Sequence, residues 1–242
     1  MGRVCGISGG NTLANEDRWN RAVAAYLFSF AGLSTVLVAG REKDRVHGYG
    51  APSRSWQVYV VPAEGGTPRM LSPQDRNHAD PSWSPDGLSL AFGTLGEPDN
   101  GIFILDLKTN RLSKVAGSEG MLSPHWSPDG RYINAQTSDT LKQTLFDFKA
   151  KRWQQLTSGI IIGWPNWSRD GKYVYYDAGS GDQAGFYRVR IGDRKVERIV
   201  SLKDIRRAGT WGAWAGLAPD DSPLLLRDTG TQEIYALDVD LP

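Results

Sequence analysis

Two sets of residues in this sequence have the types needed for chemistry. Gly6-Ile7-Ser8-Gly9-Gly10 fits the Gly-x-Ser-x-Gly pattern of a nucleophile elbow, which would serve acyl transfer with a strand before it and a helix after it. The three histidines, His47, His78 and His125, are the other candidates, because imidazole acts as a general base and binds transition metals. Whether either set can work depends on the elements that hold it.

One five-residue turn is repeated along the chain. Trp83-Ser84-Pro85-Asp86-Gly87 recurs unchanged at 126–130, with Arg169 in place of proline at 167–171, and in a diverged form at 217–221. Proline presets φ for a tight turn, aspartate hydrogen-bonds to nearby backbone, and glycine accepts a positive φ. Short runs rich in β-branched and aromatic residues flank the copies, so each copy predicts a β-hairpin.

The spacing of these turns predicts a β-propeller. The turn aspartates recur about every 40 to 50 residues, each repeat holds a second hairpin, and no segment between them has sustained helical periodicity. Four strands per repeat at this period are typical of propeller blades. The predicted fold class is therefore all-β, a β-propeller of four-stranded blades with four blades plus an incomplete fifth, or a fragment of a six-bladed ring. The predicted blades are 22–72, 79–118, 122–158, 163–201 and 213–240.

The first 40 residues allow two interpretations. Residues 1–21 form an N-terminal tail or a strand that closes the last blade, whose outer strand the sequence does not show. Residues 22–40 carry no charged side chain and follow Arg18 and Arg21, which is typical of a signal anchor or of a signal peptide ending near Ala39. They also keep the aromatic, serine and glycine spacing of the repeat. We favour a diverged first blade; contact with a membrane is expected only if 22–40 is a signal anchor.

Composition disfavours several classes of function. A net charge of +1 and an isoelectric point near 7.8 leave no electrostatic footprint for nucleic acid, so we predict no nucleic-acid partner. A single cysteine, Cys5, excludes an internal disulfide and a cysteine-built metal site. The Asp-Gly turns lack the alternating oxygen ligands of a calcium loop. The adjacent pair Arg206-Arg207 is expected in a solvated turn.

The propeller fold gives little support to the two candidate chemistries. No α/β alternation follows Gly6–Gly10 to supply an acid and a histidine, so this match is expected to be a turn or a tail. His78 and His125 could approach each other at the rim of adjacent blades, although a surface or turn histidine is the commoner role. We predict no catalytic residue, no metal and no cofactor.

A binding role directs attention to the residues that enter each inner strand. In a propeller these residues lie at one rim around the central channel, and tryptophan and arginine are favoured interface anchors. The candidate rim and channel residues are Arg76, His78, Asp80, His125, Trp164, Asn166, Trp211 and Trp214. The repeat tryptophans and turn aspartates are instead expected to pack between blades and to cap turns: Trp83, Trp126, Trp167, Asp86, Asp129 and Asp170.

The turns, together with the run 58–67 (VYVVPAEGGT), resemble the WD40-like (PD40) repeats of TolB-type β-propellers from about residue 56 to 238. The stretch 222–238 is similar to bacterial propellers joined to winged-helix regulators or serine/threonine kinases, and residues 1–21 are too short to hold such a domain. The resemblance implies a non-catalytic module, a sensory or scaffold part of a bacterial signalling or envelope system. It also implies a protein or small ligand at the rim, and a monomer or part of a larger chain. The location is periplasmic (envelope) or cytoplasmic, and the resemblance favours the periplasm. The alternative is the propeller part of a prolyl-oligopeptidase-like hydrolase or of a metal-dependent enzyme.

Overall fold

The computed structural model describes residues 25–30, 33–40, 55–62, 69–71, 77–95, 100–159, 162–163, 165–207 and 215–230. These residues form five antiparallel sheets, each built from strands that are consecutive in the sequence. The described part contains no α-helix, and one 3₁₀ turn spans Gly181–Gln183. None of its elements is a helix long and apolar enough to cross a bilayer. The all-β class predicted from the sequence is confirmed.

The strands alternate with short turns. Sheet 1 contains β1 (Ala25–Phe30), β2 (Leu33–Gly40), β3 (Ser55–Pro62) and β4 (Arg69–Met70). Sheet 2 contains β5 (Asn77–Trp83), β6 (Ser89–Leu95), β7 (Gly101–Asp106) and β8 (Arg111–Lys114). Sheet 3 contains β9 (Met121–Trp126), β10 (Tyr132–Thr137), β11 (Lys142–Asp147) and β12 (Arg152–Ser158). Sheet 4 contains β13 (Asn166–Trp167), β14 (Tyr173–Ala178), β15 (Gly185–Arg190) and β16 (Val196–Ser201), and sheet 5 contains β17 (Ala215–Leu217) and β18 (Pro223–Leu225).

The hydrophobic core is divided into clusters that lie between consecutive sheets. Successive residues of a strand point to opposite faces, so one strand serves two clusters. In β6, Leu90 and Phe92 pack with Val58 of sheet 1, whereas Ala91 packs with Ile133 of sheet 3. The remaining two clusters join sheets 3 and 4 through Leu145, Leu156, Val174 and Val189, and sheets 4 and 5 through Tyr175, Phe186 and Ala215. This face-to-face stacking is the packing expected of propeller blades.

The repeated turn is held by the same hydrogen bonds in three copies. Ser84 Oγ donates to Asp86 Oδ1 at 2.6 Å, and the same carboxylate oxygen accepts the Leu88 N–H at 2.9 Å. The Ser89 N–H donates to Ser84 Oγ at 2.9 Å. The copies that begin at Trp126 and Trp167 repeat all three bonds. The predicted turn-capping role is confirmed, and the repeat tryptophans pack against the clusters between sheets, as predicted: Trp83, Trp126 and Trp167.

Two departures from the repeat, Arg169 and Asp221, are neighbours in space. Elsewhere, the proline of one turn lies against the glycine of the next, and Pro85 Cγ is 3.3 Å from the position that a Cβ on Gly130 would take. In the last pair of turns, Arg169 replaces the proline and Asp221, with a φ of 64°, replaces the glycine. The Arg169 N–H, which proline lacks, donates to Asp221 Oδ1 at 2.9 Å. The added donor therefore meets the added acceptor.

Candidate functional site

The first strands of sheets 2 and 3 carry the same β-bulge. The register of β5 on β6 shifts by one residue between Ala79 and Ser82, and β9 has the same shift just before His125. Asp80 and Ser123 occupy the two bulges, with φ values of 53° and 50°, and a proline follows each. Side chains with a Cβ rarely adopt this left-handed region, and a following proline restricts the residue further. The bulge places two polar residues in strained backbone at equivalent points of adjacent sheets.

Asp80 and Ser123 contact each other across the sheet boundary. Ser123 Oγ donates to Asp80 Oδ2 at 2.5 Å, with Ser123 buried and Asp80 half-buried. Burial raises the pKa of the Asp80 carboxyl, and the hydrogen bond from Ser123 opposes that rise. None of the described lysine or arginine side chains forms an ion pair with Asp80. The hydrogen bond from the Ser123 hydroxyl is therefore the one interaction that offsets the burial of this carboxyl among the described residues.

The repeat assigns two tryptophans to the same position in the following sheets. Asp80 and Ser123 each stand three residues before the repeat tryptophan of their sheet. Trp164 stands three residues before Trp167, and Trp214 stands three residues before Leu217, which replaces the repeat tryptophan. Four of the predicted site residues lie outside the residues that the structure describes: Arg76, Trp164, Trp211 and Trp214.

The residue just before the repeat tryptophan ties neighbouring sheets together. Ser82 Oγ accepts the backbone N–H of the next repeat tryptophan at 2.9 Å, and Asn166 Nδ2 donates to the Ala215 carbonyl at 3.4 Å. His125 holds this position in sheet 3, and its carbonyl accepts the Trp167 Nε1–H at 2.9 Å. Asn166 and His125 were predicted at the rim together with Asp80. Both lie at the contact between first strands, one residue before the repeated turn, whereas Asp80 lies three residues before it.

The structure does not bring His78 and His125 together. His78 pairs with Thr94 near the start of β5, where its ring meets Phe92 edge to face at 4.9 Å between centroids. His125 pairs with Asn134 near the end of β9, and Asn134 lies three positions along β10 from Thr137, the counterpart of Thr94, or roughly 10 Å. Burial lowers the pKa of His125 to about 4, so its ring is neutral at physiological pH. No three His, Cys, Asp or Glu side chains cluster as metal ligands in the described ranges.

A buried ion pair lies between sheets 4 and 5. Arg207 Nη1 contacts Asp177 Oδ2 at 2.5 Å, and only 18% and 7% of the two side chains are exposed. The Asp177 carboxylate also occupies the space that a Cβ on Gly163 would need. Arg206 is exposed and pairs with Asp228 at 2.7 Å, so the expectation of a solvated turn is wrong for Arg207 alone. Sequence reasoning missed this pair because its members are 30 residues apart and carry no motif.

Stacked four-stranded sheets with first strands in mutual contact define this protein as a β-propeller. The match of residues 46–240 to the PD40 family, the TolB beta propeller domain, is more specific. The chain belongs to that family.

Individual relatives agree with this assignment over shorter stretches. The Tol-Pal system protein TolB of Alcanivorax borkumensis is 32% identical over 82 residues, which are 32% of this chain and 18% of that protein. The crystal structure of TolB from Acinetobacter baumannii superposes with a TM-score of 0.57 at 21% identity, covering 73% of this chain and 44% of that one. The structure of oligogalacturonate lyase in complex with manganese superposes with a TM-score of 0.54 at 15% identity, covering 78% of this chain and 56% of that one. The chain spans less than a third of the length of the curated relatives it matches. The similarity to the solved structures confirms the propeller fold.

Proposed function

We propose that this chain is a non-catalytic propeller module that binds a protein partner or a small ligand through its inner-strand bulges. The proposed contact residues are the four that share the bulge position of the repeat, which we call the bulge row: Asp80, Ser123, Trp164 and Trp214. Arg76 and Trp211 flank this row in the sequence and extend the candidate surface. The hydrogen-bonded pair of Asp80 and Ser123 is the observation that carries the proposal.

Asp80 opposes folding in two ways. Its burial favours the neutral form of the carboxyl, and its left-handed backbone excludes most side chains. Glycine would occupy the same backbone without strain, and asparagine would tolerate it without a buried charge. Strained backbone and perturbed carboxyls concentrate at functional sites. A ligand that donates hydrogen bonds or positive charge to Asp80 would offset both costs.

The two tryptophans of the bulge row suit an interface. Tryptophan combines a large apolar area with an N–H donor, and it is enriched among the residues that dominate binding energy. Trp164 and Trp214 differ from the repeat tryptophans because they stand three residues earlier, at the position that Asp80 holds in sheet 2. Binding through this row would therefore combine one acid, one hydroxyl and two aromatic groups.

The family supports a binding role and leaves one enzymatic alternative. The Alcanivorax relative is by name a protein of the Tol-Pal system, so we extend to this chain a sensory or scaffold role in a bacterial envelope or signalling assembly. The alternative is the propeller part of a hydrolase or of a metal-dependent enzyme, prompted by the likeness to the lyase crystallised with manganese. At 15% identity that likeness concerns the fold alone. Metal analysis of the purified protein tests the metal-dependent alternative.

Trp164→Ala and Trp214→Ala are expected to weaken binding more than they weaken the fold. The probes are peptides selected on the wild-type protein from a random phage-displayed library, with Kd measured by calorimetry. Each substitution is expected to raise Kd at least about tenfold, the loss typical of an interface anchor. The melting temperature is expected to change little, because the repeat position already supplies a packing side chain in each of these sheets, Trp167 in sheet 4 and Leu217 in sheet 5.

Trp126→Ala is the matched control for these variants. Trp126 packs between sheets 2 and 3 and stacks on Phe148 with 5.3 Å between ring centroids. Its removal is expected to cost about 3 kcal/mol or more of stability and to leave Kd unchanged for the folded protein. Parallel losses of thermal stability and affinity in Trp164→Ala and Trp214→Ala would count against the proposal.

A further inference from the structure

The interface between sheets 3 and 4 contains a buried polar layer. Asn134, Gln136 and Gln143 are 0%, 6% and 0% exposed, and they lie on the face of sheet 3 that packs on sheet 4. The equivalent positions of sheet 2, on the face that packs on sheet 3, are occupied by Ala91, Gly93 and Ile102. In sheet 4, Phe186 is the counterpart of Gln143 and is fully buried. At the position of Gln143, the neighbouring sheets therefore have the apolar residues Ile102 and Phe186.

The three side chains have more hydrogen-bonding groups than their neighbours satisfy. Asn134 Nδ2 donates to the Thr144 carbonyl at 3.1 Å, and Gln136 Nε2 donates to the Ile162 carbonyl. Asn134 Oδ1, Gln143 Oε1 and Gln143 Nε2 are buried and find no hydrogen-bond partner within the described part of the chain. A buried amide group left in this state lowers stability, so native proteins nearly always satisfy such groups with protein or ordered water.

The strand register places the three amide side chains on one face of the neighbouring strands β10 and β11. Gln143 pairs with Gln136 on one side and with Thr157 on the other, and Asn134 lies two residues from Gln136 on the same face of β10. Thr157 is buried beside Gln143, and Tyr176 of sheet 4 belongs to the cluster that packs against this face. The result is a polar site enclosed by the apolar cluster of sheets 3 and 4.

The atoms themselves select the occupant. The two carbonyl oxygens need a donor, whereas the Gln143 NH₂ group needs an acceptor. A metal cation satisfies only the oxygens. Water satisfies both kinds of group, and exchanging O and N in the Gln143 amide leaves the same requirement. We propose that the interface between sheets 3 and 4 is a binding site for ordered water, held by Asn134 and Gln143.

This site bears on the candidate binding surface. Gln136 is bonded to the Ile162 carbonyl, and Trp164 follows two residues later in the sequence. Bound water that fixes the polar layer would therefore support the segment that leads into the third member of the bulge row. The water site and the proposed binding role are separate claims, and either could fail without the other.

Gln143→Met separates a hydrated site from a dry one, because methionine keeps the length of the side chain and removes the amide. If water is bound, the substitution removes the hydrogen bonds that Gln143 makes to it and leaves the water with fewer partners, so the equilibrium constant for unfolding is expected to rise about tenfold. If the site is dry, the substitution removes an unsatisfied amide and leaves the protein equally or more stable. Gln155→Met, on an exposed part of β12, is the control and is expected to change nothing.

A high-resolution crystal structure of the wild-type protein provides the second measurement, and it does not depend on the variant folding. The proposal expects water density within hydrogen-bonding distance, about 2.7–3.2 Å, of both Gln143 and Asn134. A dry interface in that structure, or a Gln143→Met variant at least as stable as the wild type in urea, would overturn the proposal.

Discussion

Replacing Arg207 with methionine is expected to lower the free energy of unfolding by about 3 kcal/mol or more. Methionine keeps much of the aliphatic packing of arginine but leaves the Asp177 carboxylate buried without its guanidinium partner, and Asp177 is only 7% exposed on its side chain. Breaking a buried ion pair from one side costs far more than the pair contributes, because the remaining charge has lost both water and partner. Urea denaturation monitored by tryptophan fluorescence measures the change.

The chain supplies a neighbouring control for this substitution. Arg206 donates two hydrogen bonds to Asp228 Oδ2, but 54% of its side chain is exposed, so water replaces the lost partner. Arg206→Met is therefore expected to cost no more than about 1 kcal/mol. Equal effects of Arg206→Met and Arg207→Met would show that burial does not distinguish the two arginines.

The contribution of His125 is expected to lower stability as the pH falls from 6.5 to about 4, because His125 must remain neutral in the fold. Burial lowers its pKa to about 4, whereas an unfolded histidine titrates near 6.5. Between these values the unfolded chain binds more protons than the folded one, so the free energy of unfolding rises with pH. The stability that neutral His125 contributes is fully present above the pKa of the unfolded state. It is lost as the pH falls towards the pKa of the folded state, and the total loss is up to roughly 3 kcal/mol.

His125→Asn isolates this contribution. Asparagine stands at the equivalent position of sheet 4, where Asn166 bonds to the next first strand, so the fold can accept it. The slope of unfolding free energy against pH between 4 and 6.5 is expected to be steeper in the wild type than in the variant. Several turn carboxylates, such as Asp86 and Asp170, have pKa values lowered by hydrogen bonds, and they act below this window. Identical slopes in the wild type and the variant would show that His125 does not cause the pH dependence of stability.

The sequence predicts those parts of the structure that arise locally. A Trp-Ser-Pro-Asp-Gly turn carries its own proline, capping aspartate and glycine, so its hairpin geometry follows from five adjacent residues. Repetition then specifies the stacking of sheets, because each hairpin presents one apolar face to each neighbour. The packing of Trp126 and the capping by Asp86 both follow from this repetition.

Contacts between distant residues are not visible in the same way. Asp80 and Ser123 look unlike each other in the sequence, and their common left-handed backbone appears only once the register of β5 and β9 is known. The pairing of Arg207 with Asp177 depends on the path of the connection between sheets 4 and 5. The substitutions at Arg169 and Asp221 appear to be unrelated losses until the two turns are seen side by side.

The most direct measurement of the central claim is the effect of Asp80→Asn on affinity and on stability in the same protein. Asparagine tolerates the left-handed backbone and can still accept the Ser123 hydroxyl, so it removes only the buried charge. If the bulge row is a binding site, the selected peptides are expected to bind at least about tenfold more weakly, while the free energy of unfolding rises by about 1 kcal/mol.

Asp129→Asn is the control. Asp129 accepts the Ser127 hydroxyl in the turn that follows β9, away from the bulge position at Ser123. The variant is expected to lose about 1 kcal/mol of stability and no affinity. An Asp80→Asn variant that binds the peptides as well as the wild type and is less stable would show that Asp80 serves the fold, and would contradict the account.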